Sequence, residues 1–207
     1  MRLLFQGDSI TDAFRKPDEL NPAYQLGNGY VFLLASELAC KHPDRPWVFL
    51  NRGVSGNRVD DLKARWREDA ITLRPDVLTL LVGVNDTLAP MQGGQSSSDD
   101  HFEETYQWLL DSLRAECPET RLILMEPFLL PVGSVQPEWR DHLAPRQAAI
   151  RSIARVASAV FVPLQQIFDS AARETGGAHW SYDGIHPTHA GFQLIANTWK
   201  NQCLTIL

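Results

Sequence analysis

The sequence predicts an α/β protein built on a parallel sheet, and three observations carry that reading. Short apolar runs of strand length alternate with segments of helical period along the whole chain. The runs are almost continuously apolar, as strands covered on both faces must be. Finally, the residues able to do chemistry cluster just after these runs or in the last loop, where open parallel sheets place their ligands.

The strands are expected at residues 3–5, 47–50, 77–82, 122–125 and 160–162. Between them, Val59, Leu62, Trp66, Ala70 and Leu73 recur at helical spacing. So do Phe102, Tyr106, Leu109, Leu113 and Cys117, and so do Phe192, Ile195, Ala196, Trp199 and Cys203. One face of each helix is therefore apolar and turned to the sheet. Further helices are expected over residues 30–41, 143–158 and 164–174. Five strands with helices on both faces make a three-layer α/β/α sandwich, doubly wound and flavodoxin-like.

Two connections are long and irregular. Residues 88–98 hold Pro90, Gly93, Gly94 and three serines, followed by Asp100-x-x-Glu103 as the expected helix cap. Residues 127–142 hold Pro131, Gly133, Pro137 and Trp139. Each reads either as a lid or binding loop or as plain surface connection. With no repeat or linker, residues 1–207 are read as one domain, and 44% hydrophobic residues suffice for a substantial core.

A net charge of −6 argues against nucleic acid as a partner, because phosphate binding needs a concentrated basic face. No window reaches the about 20 apolar residues a membrane span requires, so no membrane insertion is expected. Residues 1–6 leave no room for a secretory signal before Ser9. Cys40, Cys117 and Cys203 are odd in number, widely spaced and near helix ends, which fits packed thiols in a cytoplasmic setting. A homo-oligomer is compatible with the sequence, which leaves the oligomeric state open.

The chemistry begins at Gly7-Asp8-Ser9, directly after the first strand. Glycine there permits a sharp turn that presents Ser9 at the opening. The second strand runs into Gly53-Val54-Ser55-Gly56-Asn57, whose turn can expose a backbone N–H. The third ends in Gly83-Val84-Asn85-Asp86. Asn85 can bond backbone in a turn or aim its amide at a developing negative charge. Asp86 reads as a loop cap or as a residue orienting Asn85. Near the carboxyl end, Asp183-x-x-His186 puts a carboxylate within reach of an imidazole, as activation of a serine hydroxyl demands. His189 is the rival base. Zinc held by Asp183, His186 and His189 is the metal alternative, disfavoured because no further ligand cluster accompanies them.

Gly7-Asp8-Ser9, Gly56, Asn85 and Asp183-x-x-His186 together resemble the four sequence blocks of the GDSL esterase/lipase (SGNH hydrolase) family, in order across nearly the whole chain. The resemblance implies Ser9 as nucleophile, His186 as base and Asp183 as its orienting acid. It also implies an oxyanion hole from the Ser9 and Gly56 backbone N–H groups and the Asn85 side chain, with no metal or organic cofactor. Gly27-x-Gly29-Tyr30-Val31, Gly53-Val54-Ser55-Gly56-Asn57 and Asp61-Leu62-Lys63-Ala64-Arg65-Trp66 are further similar to bacterial cytoplasmic acetylxylan esterases. That group carries an aromatic residue directly before the triad aspartate. Here it is Tyr182 rather than tryptophan, with Trp180 two residues earlier.

The expected partner is thus a small-molecule ester, an acetylated sugar or xylo-oligosaccharide, with Asp8, Trp180 and Tyr182 as the expected substrate-binding residues and Trp139 as a further aromatic face. Two alternatives stand beside it. One is a lysophospholipase- or thioesterase-type enzyme for longer acyl chains, with Phe128-Leu129-Leu130 as a groove; that stretch reads more readily as core. The other is a noncatalytic ligand-binding relative, which the retention of Ser9, Asp183 and His186 argues against.

Overall fold

A computed structural model describes residues 1–94 and 97–206; residues 95–96, inside the first expected loop, lie outside the described residues. The five strands are β1 (Arg2–Gly7), β2 (Val48–Asn51), β3 (Val77–Leu81), β4 (Arg121–Met125) and β5 (Val160–Val162). All pair in parallel, in the order β2-β1-β3-β4-β5. The chain leaves β1 for β2 on one side and then crosses back to β3 on the other. That reversal of winding opens a crevice at the carboxyl ends of β1 and β3.

Alternation along the strands divides the core into two halves. Leu4, Leu78, Leu80, Leu122 and Leu124 face one side, under helices α4 (Val59–Asp69), α6 (Asp99–Glu116) and α7 (Trp139–Val156). Leu3, Phe5, Val77, Leu81, Ile123 and Met125 face the other, under α3 (Tyr30–Lys41), α8 (Leu164–Thr175) and α9 (His189–Cys203). The two fully buried indoles meet their polar need inside. Trp66 Nε1 donates to the Leu109 carbonyl at 2.8 Å, and Trp199 Nε1 to the Thr79 hydroxyl at 3.0 Å. The Thr79 hydroxyl, placed amid apolar β3, is thereby explained.

Helix starts are set by local acceptors. The Asp61 carboxylate takes the Arg58 N–H at 2.8 Å at the head of α4. Thr188 Oγ1 takes the Gly191 N–H at 3.2 Å at the head of α9. At α6 the cap is Ser98, whose hydroxyl accepts the His101 N–H at 3.1 Å, not the Asp100–Glu103 pair that the spacing suggested. Helix α7 starts four residues before its expected first turn. Arg140, Asp141 and His142 carry no apolar period, yet Trp139 and Leu143 anchor this turn on Val84, Leu88, Leu129, Val135 and Ile185. Three one-turn helices, α1 (Ser9–Asp12), α2 (Pro22–Gln25) and α5 (Val84–Leu88), are too short for periodicity to reveal.

The second long connection is scaffold rather than lid. Phe128, Leu129 and Leu130 are buried, as the core reading expects. The Leu130 N–H donates to the Gly184 carbonyl at 2.9 Å, and a Cβ on Gly133 would stand 2.7 Å from the Asp183 Cα. Residues 130–135 therefore buttress the loop that carries Asp183 and His186.

Trp66→Ala removes a fully buried ring and its indole donor to the Leu109 carbonyl, which keeps the Ser112 hydroxyl at 3.0 Å. We expect a loss of about 3–5 kcal/mol in unfolding free energy, read from urea melts with an unchanged m-value.

Candidate active site

The site assembles from four loops at the carboxyl ends of the sheet. At the end of β1 the chain passes so close to β3 that a Cβ on Gly7 would lie 2.1 Å from the Leu81 carbonyl oxygen. Only glycine fits. Asp8 then caps α1, its Oδ1 accepting the Ile10 N–H at 3.0 Å, and Ser9 opens the helix. As a first-turn residue, Ser9 has a backbone N–H without an acceptor inside the helix.

The Ser9 hydroxyl lies 2.9 Å from His186 Nε2, and His186 Nδ1 lies 2.7 Å from Asp183 Oδ2. Asp183 Oδ1 takes the backbone N–H groups of Ile185 (2.9 Å) and His186 (2.7 Å). Burial works against the Asp183 charge, but these hydrogen bonds and the imidazole outweigh it, holding the carboxyl below its usual range. A neutral imidazole with its proton on Nδ1 then offers Nε2 as acceptor to the Ser9 hydroxyl. His189 lines the same cavity, yet the bond to Ser9 is made by His186.

Ser181 is a residue sequence reasoning missed. Fully buried, it donates through Oγ to the His186 carbonyl at 2.8 Å and accepts the Gly184 N–H at 2.9 Å, closing the loop on itself. A serine three residues before a glycine turn is the only signal it left.

The turn that carries Gly56 is organised by Asp12, also missed. Its Oδ2 accepts both the Ser55 N–H (3.0 Å) and the Ser55 hydroxyl (2.9 Å). This fastens the turn before Gly56 to the far end of the Ser9 helix. Gly56 has φ +81° and a side toward open space, where a Cβ would meet nothing within 4 Å. Asn85 Nδ2 donates to the Asn57 carbonyl at 3.1 Å, drawing its amide beside the same turn. One amide hydrogen is so engaged, and the NH₂ group has a second.

Ser9, Gly56, Asn85, Asp183 and His186 meet in one cavity of about 580 Å³, walled also by Phe14, Tyr182, His189 and Phe192. Of the expected substrate contacts, Tyr182 lines it. Asp8 does not: it is 1% exposed and engaged as a helix cap. Nor does Trp180, whose Nε1 donates to Thr175 Oγ1 at 2.8 Å while its ring packs on the core. Trp139 packs on the cluster above α5 instead. Among the described residues no group of three or more His, Cys, Asp or Glu side chains is arranged to hold a metal ion.

Asp8 also faces the like charge of Asp86, the residue after Asn85 in α5. Burial raises the Asp8 carboxyl to about 7, with Asp86 adding to the rise and the Ile10 N–H opposing it. Burial likewise raises Asp86 to about 6, although its Oδ1 accepts the Val59 N–H at 3.2 Å.

A hydroxyl, an imidazole and a carboxylate in series, beside an amide and a glycine turn, on a doubly wound sheet define an enzyme that hydrolyses carboxylic esters. The chain belongs to the GDSL-like lipase/acylhydrolase family, whose profile matches residues 5–194. It is 32% identical to an acetylxylan esterase of Geobacillus stearothermophilus over 204 residues, covering 97% of this chain and 93% of that one. Among solved structures, one described as a GDSL-like lipase from Parabacteroides merdae superposes with a TM-score of 0.93 at 35% identity, covering 97% and 94% of the two chains. The Geobacillus acetylxylan esterase structure gives 0.87 at 30% identity, over 97% and 93%. Membership fits the family expectation drawn from the four sequence blocks.

The buried carboxylates yield a pH prediction. Both titrate near 4 when unfolded and higher when folded, so the folded state holds more protons in between. Their contribution to stability is full below about pH 4 and is lost as pH rises through about 6 to 7. Asp8→Asn keeps the capping oxygen and removes the charge. Its melting temperature should exceed that of the wild type at pH 8, with the gap closing toward pH 4, by calorimetry across that range.

Proposed function

We propose that this chain is a serine esterase that removes acetyl groups from O-acetylated sugars, with Ser9 as nucleophile, His186 as general base and Asp183 orienting it. The observation that carries the mechanism is the unbroken series Ser9 Oγ–His186 Nε2–His186 Nδ1–Asp183 Oδ2, at 2.9 and 2.7 Å. Ser9 Oγ attacks the ester carbonyl carbon while its proton passes to Nε2. The imidazolium so formed is stabilised by Asp183, which stays ionised. Negative charge gathers on the former carbonyl oxygen, where the Ser9 and Gly56 N–H groups and the free hydrogen of the Asn85 amide receive it. As the tetrahedral intermediate collapses, Nε2 returns the proton to the leaving alcohol. Water then attacks the acyl-enzyme by the same proton route, releasing acetate and Ser9.

Acetyl as the acyl group is supported by the likeness to an acetylxylan esterase. It is supported independently by Phe128, Leu129 and Leu130. The apolar stretch that could have formed an acyl groove is 0–1% exposed, inside the core. The sugar as alcohol is supported by Tyr182, an aromatic ring 64% exposed on the cavity wall. A cytoplasmic setting belongs to the same reading and is supported by the free thiols of Cys40, Cys117 and Cys203.

The test is acetate release, followed by mass, from acetylated xylo-oligosaccharides, alongside a nitrophenyl ester series from acetyl to octanoyl. Activity should fall steeply beyond about four acyl carbons, because a pocket matched to acetyl clashes with longer chains. Ser9→Ala should abolish turnover with its circular dichroism spectrum intact. A kcat/KM that rises from acetyl through octanoyl overturns the acetyl reading.

Asn85→Ala should lower kcat by about 10²–10³ with little change in KM, the usual cost of one lost oxyanion donor. An unchanged kcat would leave Asn85 only its bond to the Asn57 carbonyl.

A further inference from the structure

Phe14 sits in an arrangement that packing does not account for. It stands just past the Ala13 cap of α1 and is 86% exposed, although its ring is large and apolar. Ala13 and Phe14 both hold positive φ, 45° and 60° respectively, in the region that non-glycine residues rarely visit. The backbone on each side is pinned. The Ala13 N–H donates to the Ser9 carbonyl at 2.9 Å, and the Ala13 carbonyl accepts the Asn28 N–H at 2.9 Å. Next along, the Arg15 N–H donates to the Asp12 carbonyl at 2.9 Å and Arg15 Nε to the Gly53 carbonyl at 2.6 Å. The left-handed bend is therefore built in, and its effect is to hold an aromatic ring in solvent on the wall of the cavity that contains Ser9, Tyr182 and His186.

A strained, unburied aromatic at a reaction cavity is explained by contact with what enters the cavity. In an acetyl ester the two-carbon acyl group is held at Ser9 and the oxyanion donors. The part that projects toward the exposed wall is the alcohol. We propose that Phe14 is a specificity-determining residue, forming with Tyr182 an aromatic subsite that stacks on the apolar face of a pyranose ring in the leaving alcohol. This rests on the sugar-ester reading above and adds to it the residue that selects the alcohol. Leu20 (97% exposed) and Tyr24 (56%) are further exposed apolar side chains of the same connection. A second copy of the chain docking there is the rival occupant that the test must separate.

The experiment compares wild type, Phe14→Ala and Phe14→Tyr on two acetyl esters, an acetylated methyl xylopyranoside and methyl acetate, with sedimentation velocity on each protein. Phe14→Ala should lower the ratio of kcat/KM for the pyranoside to that for methyl acetate about tenfold, the scale of one lost stacking contact. The loss should lie in KM, and Phe14→Tyr should restore it. An equal loss on both esters, no loss, or a loss that tracks a changed sedimentation coefficient overturns the subsite. If the wild type turns over methyl acetate but not the pyranoside, the sugar-ester reading falls and the subsite falls with it. If it turns over both and Phe14→Ala does not discriminate, only the subsite falls.

Discussion

The seating of the one-turn helix Ser9–Asp12 between the ends of three strands is the constraint on which the rest of the site depends. Three contacts allow no side chain: Gly7 against the Leu81 carbonyl, Gly53, where a Cβ would lie 2.3 Å from the Asp12 nitrogen, and Gly27, where it would lie 2.5 Å from the Asp12 carbonyl oxygen. Between them Asn51 acts as a clamp. Its Nδ2 donates to the carbonyls of Thr11 (2.7 Å) and Leu26 (2.8 Å), while its Oδ1 accepts the Gly53 N–H at 2.9 Å. The helix end thus supplies Asp12 to the Gly56 turn, while its start presents Ser9 to His186. One rigid turn sets the spacing between the Ser9 hydroxyl and the Gly56 turn, which is the preorganisation the proposed chemistry relies on.

Environment assigns different duties to carboxylates that are close in sequence to the reacting groups. Asp183 is 40% exposed at its side chain and surrounded by donors, so it holds its charge and can steady an imidazolium. Asp8 and Asp86 are each 1% exposed, and burial favours their neutral forms. They hold backbone instead, at Ile10, directly after the serine, and at Val59, the first residue of the helix that follows the Gly56 turn. Each helix is thereby tied to the loop of a reacting group through a buried oxygen. The same residue type serves as electrostatic partner in one place and as structural clamp in the other, according to the number of donors and the access of water.

Legibility in the sequence followed the length scale of each signal. Strands buried on both faces and helices of three turns or more leave runs and periods, so all five strands and the long helices were readable. The one-turn helices and the early start of α7 were not, because Arg140–His142 carry no apolar period and the turn is held by Trp139 and Leu143 alone. The meeting of Ser9, Gly56, Asn85, Asp183 and His186 was readable because each lies beyond a strand or in the last loop, and the topology converges there. Asp12, Ser181 and Phe14 were invisible for a different reason. Their roles depend on side-chain partners 43 residues away, on a closed loop, and on a left-handed bend, none of which composition or spacing records. Asp8 and Trp180 went astray in the opposite sense. Adjacency along the chain suggested contact with substrate, and the actual direction of each side chain is into the protein.

This separation has a consequence for how such a fold changes substrate. The groups of the proposed triad stand at the end of β1 and in the last loop, and that loop is locked by backbone contacts, Gly133 against Asp183 and Gly184 against the Leu130 carbonyl at 2.4 Å from any added Cβ. Alteration there would disturb several loops at once. Phe14 and Tyr182 are exposed, at 86% and 64%, and few packing contacts would be lost by replacing either. On the proposed reading, the chemistry is confined to the part of the cavity that tolerates least, and recognition of the alcohol to the part that tolerates most. Tyr182 joins the two, since its N–H donates to the His186 carbonyl at 3.0 Å while its ring reaches the cavity. A change of side chain at that position leaves the backbone bond intact, so the ring can vary in size without moving the imidazole beside it.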